Sequence, residues 1–533
     1  MSARVVEAAP AREPLRRLRF FMAAAFCVLG GQAALLAITA PIGPAPAAAA
    51  VVSAPLRPAL LDRNGEILAV TLPAYTLVAA PNDVLDAKAA ARQLNSVLPG
   101  LDAAATARRL ADRSRSEVVL ARGLTARQRH EIFQLALPGV NFRDRHERFY
   151  PQGPIAAHLI GSVNAELAGA SGLERGLDTE LKRPANREGL RLSLDLRIQH
   201  ALEQELGRAA AAAAAKGGAG VVLDARTGET LALASWPEMD ANAANNAAES
   251  VRLNRAVATY EMGSTMKPFI YAAALDAGDL NPSQAVDASP LSVGGLTLKD
   301  PHPLPAPVAP AQALAHSSNM VPARLALKLG VAGQEKLFHG LGLDSRPFGD
   351  LAEGDAGRIS SRIDPLSVAV RGYGHGLTAS VVGMAGAYTV FANHGTYVQP
   401  TLRYMPEPVK RAVFKPQSAE AVLAMMRAGV SEGTARKAAV NGIQVAAKTG
   451  TAEKSGANGY DRDLNFSSIA AVFPADAPRY VLVLALDEPA RTAETGGQAT
   501  GGAVAAPAAG RLIGRIAPLL GLTAAPALEE KVP

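Results

Sequence analysis

An uncharged run of 21 residues, residues 20–40, is the feature that most limits how this chain can fold. A helix of that length spans the hydrocarbon core of a bilayer. Five arginines precede the run, and the next arginine after it is Arg57. Because positive charge stays on the cytoplasmic side, the pattern predicts a cytoplasmic N-terminus, with everything after residue 41 outside the membrane.

The same run could instead belong to a cleaved secretion signal, because PAPAAAA at residues 44–50 offers small-residue cleavage sites. Its length favours an uncleaved anchor. We therefore expect a cytoplasmic tail at residues 1–19, a transmembrane helix at residues 20–40 and a Pro/Ala linker at residues 41–53.

Composition excludes several classes of protein. Hydrophobic residues make up 49% and charged residues 19%, which is typical of a folded globular chain. The first 19 residues, with five arginines and two glutamates, contribute +3 of the net charge of +6. No Lys/Arg stripe with interleaved aromatics indicates nucleic-acid binding. Cys27 is the single cysteine, and the nine histidines lack metal-ligand spacing, so neither a disulfide nor a metal site is predicted.

The exported part divides into two predicted domains, residues 54–195 and 196–522, followed by a tail at residues 523–533. In the first domain, Asn64-Gly65 between apolar runs predicts a hairpin. Alanine, leucine and arginine at helical spacing predict helix across residues 83–136.

The second domain should contain a sheet and flanking helices. A long helix is predicted up to Gly217-Gly218, followed by two strands around the turn at Thr227-Gly228. Three further strand patterns follow late in the chain, in GIQVAAKTGT, SSIAAVFP and YVLVLALDE. Short connections between them predict an antiparallel sheet, and the fold class is α+β.

Ser264 and Lys267 form the only Ser-x-x-Lys in the sequence, at the start of a predicted helix that ends at Gly278. Serine is a favoured helix N-cap, which is one reading of Ser264. The other is that Ser264 is a nucleophile, because residues three apart share a helix face and a serine hydroxyl needs a basic partner.

Two further motifs decide between these readings. Ser317-x-Asn319 follows Ser264, and Lys448-Thr449-Gly450-Thr451 lies on a predicted strand near the C-terminus. A second Ser-x-Asn, at residues 162–164, precedes Ser264 and is interpreted as structural. The three motifs in this order are the signature of penicillin-binding proteins and serine β-lactamases.

The chain resembles a class B penicillin-binding protein over nearly its whole length. Outside the three motifs, the resemblance is carried by Arg57 with LLDRNGEILA, by Arg148-x-x-Pro151-x-Gly153, by Gly169-x-x-Gly172-x-Glu174 and by GGAVAAP. It implies a serine β-lactamase/transpeptidase-like domain on an elongated pedestal of the dimerisation type. The segment GYGHGLTAS, residues 372–380, also resembles a family segment.

The resemblance implies eight site residues and no cofactor: catalytic Ser264, Lys267, Ser317 and Lys448, and substrate-binding Asn319, Thr449, Gly450 and Thr451. Ser264 would attack the carbonyl between two D-alanines of a stem peptide and form an acyl-enzyme. Lys267 would take its proton, and Ser317 would relay protons to the leaving amine. Backbone N–H groups of Ser264 and Thr451 would hold the oxyanion.

The resemblance also implies the biological role. No glycosyltransferase motif occurs between residues 42 and 190, and Asn319 fits the division type of class B rather than the elongation type. We expect a septal peptidoglycan D,D-transpeptidase of the bacterial inner membrane, with a periplasmic catalytic domain, inhibited by β-lactams. Expected partners are a membrane-embedded glycosyltransferase and other divisome proteins. The alternatives are an elongation-type transpeptidase, a DD-carboxypeptidase or β-lactamase-like hydrolase, and a non-catalytic scaffold.

Overall fold

A computed structural model of the chain describes residues 19–28, 30–32, 57–183, 188–456 and 459–522. The chain divides into residues 1–56 and residues 57–533. In the first unit, residues 19–28 and 30–32 are helical, and the rest of the predicted membrane segment lies outside the described residues. No helix within the described ranges is long and apolar enough to cross a membrane. The tail at residues 523–533, the whole linker at residues 41–53 and residues 1–18 of the predicted cytoplasmic tail also lie outside them.

The pedestal is built on a five-stranded sheet whose centre is the long strand Ile67–Ala79. The Asn64-Gly65 hairpin forms as predicted, because Leu60 and Leu61 pair antiparallel with the start of that strand. The other strands are Val118–Leu124, Val140–Phe149 and Leu190–Arg191. The helices are Pro81–Asp83 (3-10), Ala87–Val97, Ala103–Ala111, Ala126–Gln134, Ala157–Ile160, Gly172–Gly176 and Asp178–Leu181.

The prediction of helix throughout residues 83–136 is wrong over one segment. Val118–Leu124 is a strand that pairs with the central strand, with Val118 opposite Ala79. Its first three residues alternate between buried, exposed and buried, as in a strand that covers one side of a small core. Valine at two successive positions favours this extended conformation because β-branched side chains fit a pleated surface.

A buried ion cluster unites the pedestal motifs. Both carboxylate oxygens of Glu174 accept hydrogen bonds, one from Arg57 Nε at 2.5 Å and one from Arg148 Nε at 2.7 Å. Arg57 also reaches Asp178, and Arg148 donates to the carbonyl oxygen of Pro58. Three sequence motifs more than 20 residues apart therefore meet in one buried network, which fixes how the first strand enters the pedestal.

The second part of the chain is organised around an antiparallel five-stranded sheet. In spatial order its strands are Ala446–Gly456, Gly459–Phe473, Tyr480–Asp487, Gly217–Asp224 and Thr230–Trp236. Every residue of Gly217–Asp224 is buried. Helices cover both faces of the sheet, which explains why its strands read as continuous apolar runs rather than alternating ones.

Two helices, Leu196–Ala212 and Gly501–Ile516, cover one face of the sheet and pack against Leu482 and Leu484. The opposite face carries the larger core around Phe269 and Tyr388. The remaining helices are Ala241–Asn246 (3-10), Glu249–Arg252, Gly263–Met266 (3-10), Lys267–Ala277, Pro310–Ala315, Met320–Gly340, Pro365–Arg371, Val381–Ala392, Pro416–Ser431 and Arg436–Ala438 (3-10). The short strands are Thr259–Glu261, Leu291–Val293, Leu296–Leu298, Arg358–Ile359, Leu377–Ser380, Thr396–Val398 and Lys410–Ala412.

Candidate active site

Ser264 lies in a single 3-10 turn, Gly263–Met266, that runs directly into the helix Lys267–Ala277. The helix ends at Gly278 in the left-handed conformation, as the sequence predicts. The N-cap of the turn is Met262 and that of the helix is Met266, so Ser264 lies inside the turn and does not cap the helix. Its side chain is half-buried and lines a cleft.

Lys267 is completely buried, and its ammonium group points toward the second motif. Its Nζ donates to the carbonyl oxygen of Ser317 at 2.6 Å, to Ser317 Oγ at 3.1 Å and to Asn319 Oδ1 at 2.7 Å. These three bonds use all the hydrogens of a protonated amine. A neutral Lys267 would keep two of them and present a lone pair.

Lys448 reaches the same hydroxyl from the opposite side. Its Nζ donates to Ser317 Oγ at 2.9 Å and to the carbonyl oxygen of Thr449 at 2.8 Å, and its side chain is buried. Two lysine amines therefore share one serine hydroxyl. Ser317 is held there with φ +62°, in the left-handed region that non-glycine residues rarely occupy, which indicates a position fixed by its surroundings.

Burial controls the protonation of both lysines. Desolvation is the main cause that lowers the pKa of Lys267 well below its ordinary value, the positive charge of Lys448 lowers that pKa further, and Asp300 opposes the shift. Desolvation also lowers the pKa of Lys448 to about 7. The site can thus hold an uncharged amine near neutral pH, which is the form that accepts a proton.

Asp300 belongs to the site, although the sequence interpretation did not select it. Its carboxylate accepts hydrogen bonds from Ser318 Oγ at 2.6 Å and from the Asn319 amide at 2.5 Å. It therefore orients the turn that carries Ser317 and Asn319. Asp300 lies in the proline-rich segment TLKDPHPLPAPVAPAQ, and its acidic side chain among those prolines is the sequence feature that could have indicated a role in the site.

The third motif lies on the edge strand Ala446–Gly456, alongside the 3-10 turn of Ser264. A Cβ atom at Gly450 would come within 2.7 Å of the Met262 carbonyl oxygen and 2.6 Å of Ser468 Oγ, so only glycine fits. Thr449 Oγ1 lies 2.6 Å from Thr434 Oγ1. Thr451 Oγ1 accepts a hydrogen bond from the Gly501 amide at 3.1 Å, which leaves its own proton free to be donated.

A cleft of about 570 Å³ joins the three motifs. The predicted site residues that line it are Ser264, Ser317, Asn319, Thr449 and Thr451. Lys267 and Lys448 lie beneath it, hydrogen-bonded to Ser317. The structure thus brings all eight predicted site residues together at one place.

The segment GYGHGLTAS supplies a further wall of the cleft through Tyr373 and His375. Their rings meet edge to face with centroids 5.2 Å apart. Gly374 packs so closely against Gly263 that an added Cβ would lie 2.1 Å from its carbonyl oxygen. This contact fixes the segment against the Ser264 turn.

The second Ser-x-Asn has a structural role, as interpreted from its position. Ser162 hydrogen-bonds with the Ser171 hydroxyl at 3.2 Å. Asn164 Oδ1 accepts from the backbone N–H groups of Glu166 and Ala168, which closes a loop in the pedestal. Neither residue lines the cleft that contains Ser264.

Comparison with known families assigns both halves of the chain. Residues 218–514 match the penicillin binding protein transpeptidase domain, and residues 52–188 match the penicillin-binding protein dimerisation domain. The chain belongs to the class B penicillin-binding proteins. The dimerisation-domain match includes Arg57, Arg148 and Glu174, whose side chains form the buried ion cluster of this class B pedestal.

Curated relatives of this class B protein are similar over most of their length. It is 40% identical over 479 residues to the probable peptidoglycan D,D-transpeptidase FtsI of Caulobacter vibrioides, covering 87% of this chain and 81% of that protein. It is 31% identical to the probable peptidoglycan D,D-transpeptidase PenA of Neisseria gonorrhoeae, over 87% of this chain and 84% of that protein. It is 29% identical to the peptidoglycan D,D-transpeptidase FtsI of Escherichia coli K12, covering 86% and 82%.

A solved structure shares the fold. Penicillin binding protein 3 of Mycobacterium tuberculosis, complexed with aztreonam, superimposes with a TM-score of 0.69 at 24% identity. The match covers 88% of this chain and 97% of that one. The α+β transpeptidase fold on a dimerisation-type pedestal is therefore confirmed.

Proposed function

We propose that this protein is a septal peptidoglycan D,D-transpeptidase that cross-links stem peptides through an acyl-enzyme on Ser264. One observation carries the proposal: Lys267 and Lys448, from two different motifs, both hydrogen-bond to Ser317 Oγ beside the cleft that Ser264 lines. This is the arrangement that a serine nucleophile needs, because its proton must pass to a base and then to a leaving amine.

In the acylation step, Ser264 Oγ attacks the carbonyl carbon of the penultimate D-alanine. The Oγ–C bond forms, the C–N bond to the terminal D-alanine breaks, and the Ser264 proton passes to neutral Lys267. Ser317 then carries a proton toward the leaving amine, since its hydroxyl lies within hydrogen-bond distance of both lysines. An uncharged Lys267 accepts the proton without first losing one to water.

Substrate recognition is assigned to the rest of the site. The hydroxyls of Thr449 and Thr451 contact the terminal carboxylate, or the equivalent carboxylate of a β-lactam. Asn319 binds the peptide backbone through its Nδ2, since Oδ1 already accepts from Lys267. Backbone N–H groups of Ser264 and Thr451 hold the oxyanion, and such donors contribute about 3 kcal/mol each.

A cross-linking assay separates a transferase from a hydrolase. With an ester donor and an amine acceptor, the purified full chain should form the new amide, and Ser264→Ala should form none. A protein that releases only the hydrolysed acid at saturating acceptor would be a carboxypeptidase-like hydrolase instead.

The division role and the membrane anchor are also part of the proposal. Residues 20–40 hold the protein in the inner membrane, with the catalytic part in the periplasm. Within the membrane, residues 20–40 contact a membrane-embedded glycosyltransferase and other divisome proteins. The native protein should retain Cys27, which N-terminal sequencing would show. A mature N-terminus near residue 47 or later would show a cleaved signal.

Depletion in the host distinguishes the two class B roles. Loss of the protein should give filamentous cells with unfinished septa, and Ser264→Ala should not rescue them. Swollen or round cells would favour an elongation enzyme, and full rescue by Ser264→Ala would favour a non-catalytic scaffold.

A further inference from the structure

The charged groups that line the cleft are unbalanced. Among the described lining residues, Arg436 and Lys437 are cations and Asp300 is the only acid. The Asp300 carboxylate is already engaged by Ser318 and the Asn319 amide. Arg436 and Lys437 are exposed, and neither forms an ion pair or a side-chain hydrogen bond with any residue that the structure describes.

The backbone that carries the two cations is fixed, although their side chains are exposed. They begin the 3-10 turn Arg436–Ala438, flanked by Ala435 and Ala438, both 0% exposed. Just before the turn, the Thr434 amide donates to the carbonyl oxygen of Ala315 at 3.1 Å. The C-terminal helix also packs on the turn, since a Cβ at Gly510 would lie 2.9 Å from the Lys437 carbonyl oxygen.

The turn lies on the side of the cleft where the leaving group is expected. Thr434, two residues before Arg436, has its hydroxyl 2.6 Å from that of Thr449. In the proposed function Thr449 contacts the carboxylate of the terminal D-alanine, which is the leaving group. The two cations therefore add positive charge beside that carboxylate.

The chemistry of the second step extends this reasoning to the acceptor. Acylation and deacylation pass through equivalent tetrahedral states, so the incoming amine must occupy the place that the leaving amine has vacated. The leaving D-alanine carries its carboxylate on the carbon next to the amine. An acceptor with the same relation between amine and carboxylate would bring its own carboxylate to Thr449, Arg436 and Lys437.

Resting on the proposed transpeptidase function, we propose that Arg436 and Lys437 form an acceptor-side anion site that selects amines bearing a carboxylate on the neighbouring carbon. In this step the amine nitrogen bonds to the ester carbonyl carbon, and the C–O bond to Ser264 breaks. One amine proton passes through Lys267 to Ser264 Oγ, which leaves as a hydroxyl. The two cations bind and orient the acceptor and take no part in the proton transfer.

Competition between two matched acceptors tests the site. The full-length protein in detergent receives an N-acyl-D-alanyl thioester of a neutral thiol, together with D-alanine and D-alaninamide. Both acceptors compete for one acyl-enzyme, so the product ratio is independent of acylation. We expect the wild type to favour D-alanine, and Arg436→Gln with Lys437→Gln to lower that preference about fivefold, because each exposed charge pair contributes modestly.

Salt and control variants complete the design. Raising the ionic strength should reduce the preference of the wild type more than that of the double variant, since exposed charges are screened more strongly than the buried Lys448. Arg427→Gln removes an exposed cation outside the cleft lining and should leave the preference as in the wild type. Arg436→Lys, which keeps the charge, should retain most of the preference for D-alanine.

Two results would overturn the inference, and they are distinguishable from each other. A double variant that hydrolyses the thioester normally and keeps the wild-type ratio, or loses both acceptors equally, would overturn the anion site alone. A wild-type protein that neither consumes the thioester nor binds penicillin would overturn the proposed function, and the anion site with it.

Discussion

Asp300 shows how a single residue can organise the site without touching the reacting atoms. Its carboxylate holds both Ser318 Oγ and the Asn319 amide. In Asp300→Asn one of the two acceptor oxygens becomes an NH₂ that faces a donor, so one bond is lost. We expect the second-order rate constant for penicillin acylation to fall at least tenfold, since a hydrogen bond to a charged group contributes about 1.5–3 kcal/mol.

The measurement for this prediction is stopped-flow acylation with a fluorescent penicillin. Asp287→Asn is the matched control, because Asp287 is exposed and pairs with Arg324 away from the lysines. Equal rates for Asp300→Asn and the wild type would show that Asp300 does not orient the Ser317–Asn319 turn.

The lysine pair predicts how acylation depends on pH. Lys267 must be neutral to accept the Ser264 proton. Lys448 must be charged, because its ammonium group lies next to Thr449, which contacts the ligand carboxylate in the proposed function. Because burial lowers the pKa of Lys448 to about 7, the rate constant should fall as the pH rises through about 7. At lower pH the rate constant should also fall, because Lys267 becomes protonated; this occurs well below the ordinary lysine pKa, since the pKa of Lys267 is lowered. A flat profile between pH 6 and 9 would contradict this assignment.

The same pKa shift affects stability. Folded Lys448 releases its proton near pH 7, whereas the unfolded chain keeps it until about pH 10.4. The unfolded state therefore binds more protons in this interval, so the contribution of Lys448 to the free energy of unfolding should rise with pH. Below pH 7 the buried charge is a constant cost.

At the scale of elements, the edge strand depends on Gly450. Gly450→Ala would put a methyl group 2.6 Å from Ser468 Oγ and 2.7 Å from the Met262 carbonyl oxygen, so the strand must move away from the Ser264 turn. We expect a loss of about 1–3 kcal/mol in the free energy of unfolding and a larger loss in acylation.

Chemical denaturation and penicillin labelling together check this prediction. Gly349→Ala is the control, because its added methyl group meets nothing within 4 Å. If Gly450→Ala and Gly349→Ala behaved alike, the close approach of strand and turn would not matter for the site.

Elements with strong local signals could be predicted from the sequence, and those fixed by pairing could not. The helix after Ser264 was predicted because it has a glycine stop and an apolar run. The preceding long helix ends at Ala212 rather than at Gly217, because Gly217 already pairs with Asp487 in the sheet. This helix boundary is set by a strand partner 270 residues away, so it cannot be predicted from the hydrophobic periodicity of the helix.

The site followed the same rule. Ser264, Ser317 and Lys448 could be found because their motifs have fixed spacing. Asp300 and the cleft wall at His375 could not be assigned, because their roles arise from contacts made across the fold.

At the scale of the whole molecule, the Glu174 cluster should determine whether the pedestal folds. Glu174→Gln leaves two buried guanidinium groups facing a neutral amide, although Asp178 still binds Arg57. Removing one partner of a buried ion pair costs about 3–5 kcal/mol. We expect a marked fall in the melting temperature, whereas Asp144→Asn, at an exposed position in the same sheet, should have little effect.

Ser264 should be the nucleophile that penicillin acylates, and this can be measured by mapping the site of penicillin attachment. The full-length protein is labelled with a fluorescent penicillin, digested and analysed by mass spectrometry. We expect the adduct on the peptide containing Ser264, and no adduct on folded Ser264→Ala. An adduct on any other serine, or persistent labelling of Ser264→Ala, would contradict it.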